Sequence, residues 1–250
     1  MDTRNLKAVL CDIGGVLYVG DRPVEGAIEA VAALRSRYHI RFLTNTTQKT
    51  GTQVVEKLRT MGFAVETDEV LTALDVTKRY LKERDAGAEL LLTDDAIAFF
   101  DDLRDLTKRF VVVGDAQQNF TYERMNRAFR LLQDGAKLLA AAKNRYFKDA
   151  DGKLSMDAGG FVAALEYAAG CRAEIIGKPS AAFYTQACAS MGVSPAETVM
   201  IGDDIESDVG GAQAAGLRAI LVETGKFTPH DLERGIVPDA VAPSIASLPI

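Results

Sequence analysis

The chain has 250 residues, 48% of them hydrophobic and 26% charged, and carries a net charge of −6. That length suits one large domain or two modest ones, and the acidic balance offers no basic footprint for nucleic acid or an anionic membrane. No apolar run approaches the ~18 residues of a membrane span, and the first residues lack the basic-then-apolar order of a signal peptide. Cys11, Cys171 and Cys188 are widely spaced with no C-x-x-C, which argues against a disulfide framework or a zinc site and for a reducing, cytoplasmic compartment.

In chain order, "KAVLC" (residues 7–11) reads as a buried strand that ends on Asp12 and breaks at Gly14-Gly15. "VEGAIEAVAALRSR" puts Val24, Ala27, Ile28, Val31 and Leu34 on one helical face. "IRFLTN" is a strand ending at Thr44-Asn45, "QVVEKLRTMG" a helix stopped by Gly62, and "DEVLTALDVTKRYLKER" a short strand running into a helix. From about 84 to about 175 come the strands "ELLLTDD" and "RFVVVGDA" and the helix "TYERMNRAFRLLQDG". The strand candidate "AKLLAAAKN" and the helix "GGFVAALEYAAG" complete this stretch. The last third alternates again: strand "AEIIG", helix "SAAFYTQACASMG", strand "TVMIGDD", helix "SDVGGAQAAG", strand "RAILVETG". The alternation predicts an α/β fold, a doubly wound Rossmann-like parallel sheet. Residues 1–83 and 176–250 form that core, and 84–175 an inserted smaller α/β module.

In such a sheet the C-terminal ends of the strands share one rim, where ligands bind. Four predicted strands end on polar groups: Asp12, Thr44-Asn45, Gly177-Lys178-Pro179, and Gly202-Asp203-Asp204 with Asp208 a turn later. Taken singly, each has an ordinary explanation: a cap, a turn residue, a surface charge, the acidic start of a helix. Together they supply a nucleophilic carboxylate, a hydroxyl, an ammonium and a carboxylate cluster. Those are the parts of phosphoryl transfer through an aspartyl phosphate, with Asp12 and Asp203 offering hard oxygen ligands to Mg²⁺. Lys178 and Thr44 hold the remaining phosphate oxygens.

At "DIGGVLY", "LTNTTQKT", "GKPS" and "GDDIESDVGGAQAAG" the chain resembles the haloacid-dehalogenase-like hydrolase superfamily over nearly its whole length. About thirty residues separate the first two motifs and more than a hundred the second and third. That spacing puts the inserted module where the C2-type caps of the nitrophenylphosphatase-like branch sit. The resemblance implies Asp12 as nucleophile and metal ligand, the backbone carbonyl of Gly14 and the Asp203 carboxylate as further ligands, and Asp208, with Asp204, orienting the metal shell. It implies Thr44, Asn45 and Lys178 as phosphoryl-binding groups. In the cap, Asn144-Arg145-Tyr146 offers a cation and an aromatic to the leaving group, or else forms a solvated loop with Tyr146 packed beneath it. The stretch from Lys148 to Lys153 reads as a turn, and His39 and His230 as surface residues.

One position departs from the pattern. Most phosphatases of this family carry an aspartate two residues after the nucleophile, as general acid and then base, where this chain has Gly14. Positioned acid–base catalysis contributes roughly 10²–10⁴-fold. Its loss disfavours alkyl esters and hurts least when the leaving group is already stable, as in pyrophosphate, aryl phosphates and phosphoramidates. The expectation is therefore a Mg²⁺-dependent phosphatase for small phosphorylated compounds, a homodimer being compatible with it. The alternative is a family member that binds phosphorylated ligands or a protein partner without efficient turnover. Dehalogenases also lack the second acid, but they need no metal and would leave Asp203, Asp204 and Asp208 idle. No G-x-x-x-x-G-K-[ST] or G-x-G-x-x-G run supports a nucleotide or dinucleotide site.

Overall fold

The computed structural model describes residues 4–148 and 153–249, with the side chain of Lys148 left aside. The core of the expected turn, residues 149–152, lies outside the described residues. The chain opens with β1 (Ala8–Asp12), a short hairpin of β2 (Tyr18–Val19) and β3 (Arg22–Pro23), α1 (Ala27–Arg35), β4 (His39–Thr44), α2 (Gly51–Thr60) and β5 (Val70–Thr72). Next come α3 (Ala73–Lys82), β6 (Gly87–Leu91), α4 (Asp94–Ala98), β7 (Lys108–Val113), α5 (Tyr122–Gln133) and β8 (Lys137–Ala140). The hairpin of β9 (Tyr146–Lys148) and β10 (Leu154–Met156), α6 (Ala158–Ala169) and β11 (Glu174–Ile175) follow. The chain closes with α7 (Ala181–Ser190), β12 (Thr198–Gly202), a π-helical turn over Ile205–Gly210 running into α8 (Gly211–Ala214), β13 (Arg218–Val222) and β14 (Ala240–Ala242).

Two compact units result. The first comprises residues 1–44, 54–71 and 178–250; the second, residues 45–53 and 72–177. The expected insert of 84–175 falls inside the second unit, which also takes in α3 and the start of α2.

The first unit is built on a six-stranded sheet in the order β14-β13-β12-β1-β4-β5. β1 is central and pairs in parallel with β12 on one side and β4 on the other, so Asp12 lies opposite Leu43. All five residues of β1 and of β12 are buried, which explains their near-continuous apolar runs. Val9, Cys11, Phe42, Val199 and Ile201 of these strands pack with Val31, Leu34, Val55 and Leu58 from the helices. Each such side chain contributes roughly 1.5–3 kcal/mol on burial.

The second unit has a four-stranded sheet in the order β11-β8-β7-β6, paired in parallel. Its core joins Leu91, Val111, Val113 and Leu138 of the sheet to Ala128 and Leu132 of α5 and Val162 and Leu165 of α6. Thr121 caps α5 by accepting the Arg124 N–H, and Asp157 caps α6 through the Ala158 N–H.

Two readings of the sequence need correction. "AEIIG" does not supply a strand of the main sheet: β11 is two residues long and pairs with Leu139-Ala140 of β8 in the second unit. Lys178 is thus delivered by the chain returning from the smaller sheet, because a two-residue strand carries no local signal of its partner. "AKLLAAAKN" is strand only over Lys137–Ala140, so Asn144 and Arg145 lie in a loop and not at a strand end.

Candidate active site

Asp12 ends β1, and Ile13-Gly14-Gly15 lead the chain away through a turn closed by the Gly15 N–H donating to Tyr18 O at 2.8 Å. Gly15 has φ 90°, and a Cβ there would run into the Asp203 carboxylate. At Gly225, with φ 68°, a Cβ would meet the same carboxylate and the Cα of Gly15. Both positions combine a left-handed backbone with no room for a side chain, so only glycine satisfies them. Gly14 is the opposite case: it is exposed, outside the left-handed region, and nothing lies within 4 Å of where its Cβ would be.

Lys178 is 3% exposed, and its Nζ donates to Asp12 Oδ1 and, at 2.6 Å, to Asp208 Oδ1. Burial works against the ammonium charge, but Asp12 and Asp208 more than offset it and raise the lysine pKa well above its ordinary value. Asp203 ends β12 and is buried; its Oδ2 accepts the Lys226 backbone N–H at 2.8 Å, while Oδ1 is buried with no hydrogen-bond partner. Burial, then the charges of Asp12 and Asp208, push the Asp203 carboxyl well above the usual carboxylate range. Burial pushes Asp208 up to about 6; Lys178 opposes that shift and Asp12 adds to it.

Carboxylate oxygens of Asp12, Asp203 and Asp208 all lie within 4.8 Å of one another. Two of these buried carboxylates, Asp12 and Asp208, share one buried ammonium, and one oxygen of the third, Asp203, has no donor. A buried polar atom left in that state costs roughly 1–3 kcal/mol, more when charged. A hard divalent cation bound by oxygen ligands would satisfy the orphaned oxygen and reverse the repulsion that raises Asp203, so the donor set fits such an ion.

The turn after β12 supports the cluster. Asp204 Oδ1 accepts the Glu206 and Ser207 N–H groups, each at 2.9 Å, and its Oδ2 accepts Lys226 Nζ at 2.8 Å. Burial opposes that charge, but Lys226 and the Ser207 contacts prevail and hold the carboxyl at about 2. Asp204 is therefore both the acidic start of a helical turn and a partner of Lys226. Asp208 Oδ2 accepts the Asp204 N–H at 3.2 Å. Tyr184 of α7 is fully buried and donates its hydroxyl to the Ser207 carbonyl, within the π-helical turn that carries Asp208. Burial, then Asp208, push the Tyr184 hydroxyl up, so it stays a donor.

Of the expected site residues, the structure brings together Asp12, Lys178, Asp203 and Asp208, and sets half-buried Thr44 one residue past Leu43, the partner of Asp12. Asn45 belongs to the second unit, where its Nδ2 donates to Asn144 Oδ1 at 3.3 Å. Arg145 is an exposed loop residue of that unit, and Tyr146, expected beneath the loop, is 40% exposed at the start of β9. Lys226 and Tyr184 escaped the sequence reading. "TGKF" after a strand was the available signal for Lys226, and nothing marked Tyr184 within its helix. Cys11 is buried, and burial and Asp12 push its thiol well up, as suits a packing residue. His39 and His230 are exposed.

A model of haloacid dehalogenase-like hydrolases matches residues 9–96, and a second, HAD-hydrolase-like model matches residues 175–248. The chain is 43% identical over 232 residues to haloacid dehalogenase-like hydrolase domain-containing protein 2 of Bos taurus, covering 92% of this chain and 89% of that one. The chain belongs to the haloacid dehalogenase-like hydrolase family. Another relative within it is phospholysine phosphohistidine inorganic pyrophosphate phosphatase of Rattus norvegicus, 42% identical over 233 residues, or 90% of this chain and 86% of that protein. Among solved structures, 4-nitrophenylphosphatase from Thermotoga maritima superposes with a TM-score of 0.89 at 29% identity, over 97% of this chain and 96% of that one. Glycerol phosphate phosphatase from Mycobacterium tuberculosis, in complex with magnesium, superposes with a TM-score of 0.86 at 25% identity, over 98% of this chain and 78% of that one. This haloacid dehalogenase-like chain is thus an α/β hydrolase of the phosphatase type, a Rossmann-like core with an inserted cap. Among the described residues no helix is long and apolar enough to cross a membrane.

Proposed function

We propose that this hydrolase is a Mg²⁺-dependent phosphatase that works through an aspartyl phosphate on Asp12 and favours small substrates with good leaving groups. The observation that carries the reading is the buried Asp12, Asp203, Asp208 and Lys178 cluster with the unpartnered Asp203 Oδ1.

In this reading an Asp12 oxygen attacks phosphorus and the leaving group departs with the bonding electron pair. Lys178, held between Asp12 and Asp208, fixes the nucleophile and balances charge on the phosphoryl group. Thr44 and Asn45 bind phosphoryl oxygens. Water then cleaves the acyl phosphate, releasing phosphate and restoring the Asp12 carboxylate. Asp12, the Gly14 carbonyl, Asp203 and Asp208 would hold a divalent cation, which would supply positive charge against the repulsion between carboxylate and phosphate. The second unit acts as a cap that selects substrates and excludes water.

Gly14 sets the bias. With no side chain there, no residue at that position protonates the departing atom, so rate depends on leaving-group stability. Relatives and neighbours named for phospholysine, phosphohistidine, pyrophosphate and nitrophenyl phosphate agree with this bias. A neighbour of the same fold is named for glycerol phosphate, so the fold alone does not decide the leaving group.

The test is phosphate release from pyrophosphate, 4-nitrophenyl phosphate, a phosphoramidate and a sugar phosphate, with Mg²⁺ and with excess EDTA. The first three are expected to turn over faster than the sugar phosphate, and only with Mg²⁺. Undiminished turnover in EDTA, or a preference for the sugar phosphate, overturns the reading.

A further inference from the structure

The second unit contains a cavity of about 270 Å³ that the phosphatase reading leaves unused. Its apolar lining comes from Leu81 of α3, Leu90 of β6, and Ile97, Phe100 and Leu103 from the segment around α4. Arg104, Lys108, Arg124 and Arg127 also line it, with two carboxylates, Glu89 and Asp101. Four cations thus gather in a chain whose net charge is −6.

The arrangement is built around Glu89, which is 3% exposed. A buried carboxylate must be paired. Its Oε2 accepts Lys108 Nζ at 2.6 Å, and its Oε1 accepts Arg127 at 2.5 Å. Both cations keep about half of their side chains in solvent, and with three donors on Lys and five on Arg neither is used up by one carboxylate. Asp101 Oδ1 accepts Arg104 Nη2 at 2.6 Å, and Arg124 lies 3.7 Å from Asp94 Oδ1, beyond hydrogen-bond reach. Glu89 therefore fixes two cations in a lining that is partly apolar and in which cations outnumber carboxylates. That combination suits a ligand with a flat apolar body and an anionic end. The volume lies just under the usual range for drug-sized pockets, so one or two rings fill it.

We propose that this cavity is a second binding site, sharing no residue with the Asp12 cluster, for a small aromatic anion. Naphthalene-2-sulfonate is a suitable probe, since it carries no phosphoryl group for the enzyme to consume. The experiment is an amide NMR titration of the full chain. With about 14 non-hydrogen atoms at the efficiency of ordinary ligands, the expected Kd is on the order of 1 mM or tighter, with shifts concentrated in β6, α4 and α5. The neutral naphthalene-2-sulfonamide is expected to bind about tenfold more weakly, a comparison that needs no variant. The double substitution Arg104→Gln with Arg124→Gln is expected to weaken the sulfonate about tenfold, and Ala88→Phe, which fills the cavity, to abolish its binding. Melting temperatures check that both variants fold. The proposal is overturned by the lack of a saturable shift, by shifts located elsewhere, by equal affinity for sulfonate and sulfonamide, or by binding unchanged in both folded variants.

Discussion

Gly14→Asp tests the reading of the site most directly. The position is exposed, its φ lies outside the left-handed region, and nothing lies within 4 Å of an added Cβ. An unstrained replacement of glycine lowers the entropy of the unfolded chain and favours the variant by ~0.4–1 kcal/mol, so folding is retained. The neighbouring Gly15 would fail the same test, because its side chain would displace the Asp203 carboxylate. The new carboxyl would stand two residues after the proposed nucleophile, at an exposed position with room for it. A positioned acid is worth roughly 10²–10⁴-fold in general, and an imperfectly seated one less, so alkyl esters are expected to speed up by roughly ten- to a thousandfold. The assay is kcat/KM across nitrophenyl, phenyl and alkyl phosphates, with burst kinetics to detect slow breakdown of the acyl phosphate. The dependence on leaving group should flatten, with nitrophenyl phosphate gaining least unless that breakdown limits it. A variant that folds, binds Mg²⁺ and hydrolyses alkyl esters no faster than wild type refutes the argument.

Asp12→Asn removes the proposed nucleophile in a nearly isosteric way and should cut activity by roughly a thousandfold or more with the circular dichroism spectrum unchanged; full activity would exclude the aspartyl phosphate. Mg²⁺ at about 100 times its Kd should stabilise the chain by ~2.7 kcal/mol, raising Tm by about 5–10 °C, and Asp203→Asn should abolish most of that gain in a thermal melt. Lys178→Met leaves Asp12 and Asp208 buried without their shared cation, and urea unfolding in EDTA should show a loss of about 3–5 kcal/mol; an unmoved midpoint would refute the ion pair. Glu197 is held at about 2 by Lys7, at 2.5 Å, and by Ser194. A depressed folded pKa stabilises above the unfolded value and is lost as pH falls through the folded one. The Tm deficit of Glu197→Gln should therefore be full at pH 7 and shrink between pH 4.5 and 2; a deficit independent of pH would sink the linkage.

The parts of the site that the sequence made legible are those that end long buried strands. β1 and β12 are nearly unbroken apolar runs and β4 closes on the buried pair Phe42-Leu43, and Asp12, Thr44 and Asp203 are the polar groups where those apolar stretches stop. The pattern is local, so it needs no knowledge of neighbours. Lys178 was legible through its motif, but the strand before it was assigned to the wrong sheet, since two residues of β11 cannot declare β8 as their partner. The helix read in "SDVGGAQAAG" is a π-helical turn followed by one short α-helical turn, a distinction that rests on hydrogen bonds and not on side-chain periodicity. Tyr184 and Lys226 were missed for a different reason. Each reaches the acidic turn from more than twenty residues away; "TGKF" after a strand marks the lysine but not its partner, and a tyrosine in mid-helix looks like any other.

The charge arrangement explains why the groups that were hard to read matter. Asp12, Asp203 and Asp208 converge at one place, and repulsion among buried carboxylates opposes folding unless cations are fixed nearby. Lys178 answers for Asp12 and Asp208 directly. Lys226 answers for Asp204 through its side chain and for Asp203 through its backbone N–H. Tyr184 tethers the turn that brings Asp208 to Lys178. What remains unanswered in this cluster is one buried oxygen of Asp203, Oδ1. The protein thus balances most of its acidic cluster with fixed lysines and backbone donors, leaves one buried carboxylate oxygen without a donor, and keeps the position of Gly14, two residues after Asp12, open.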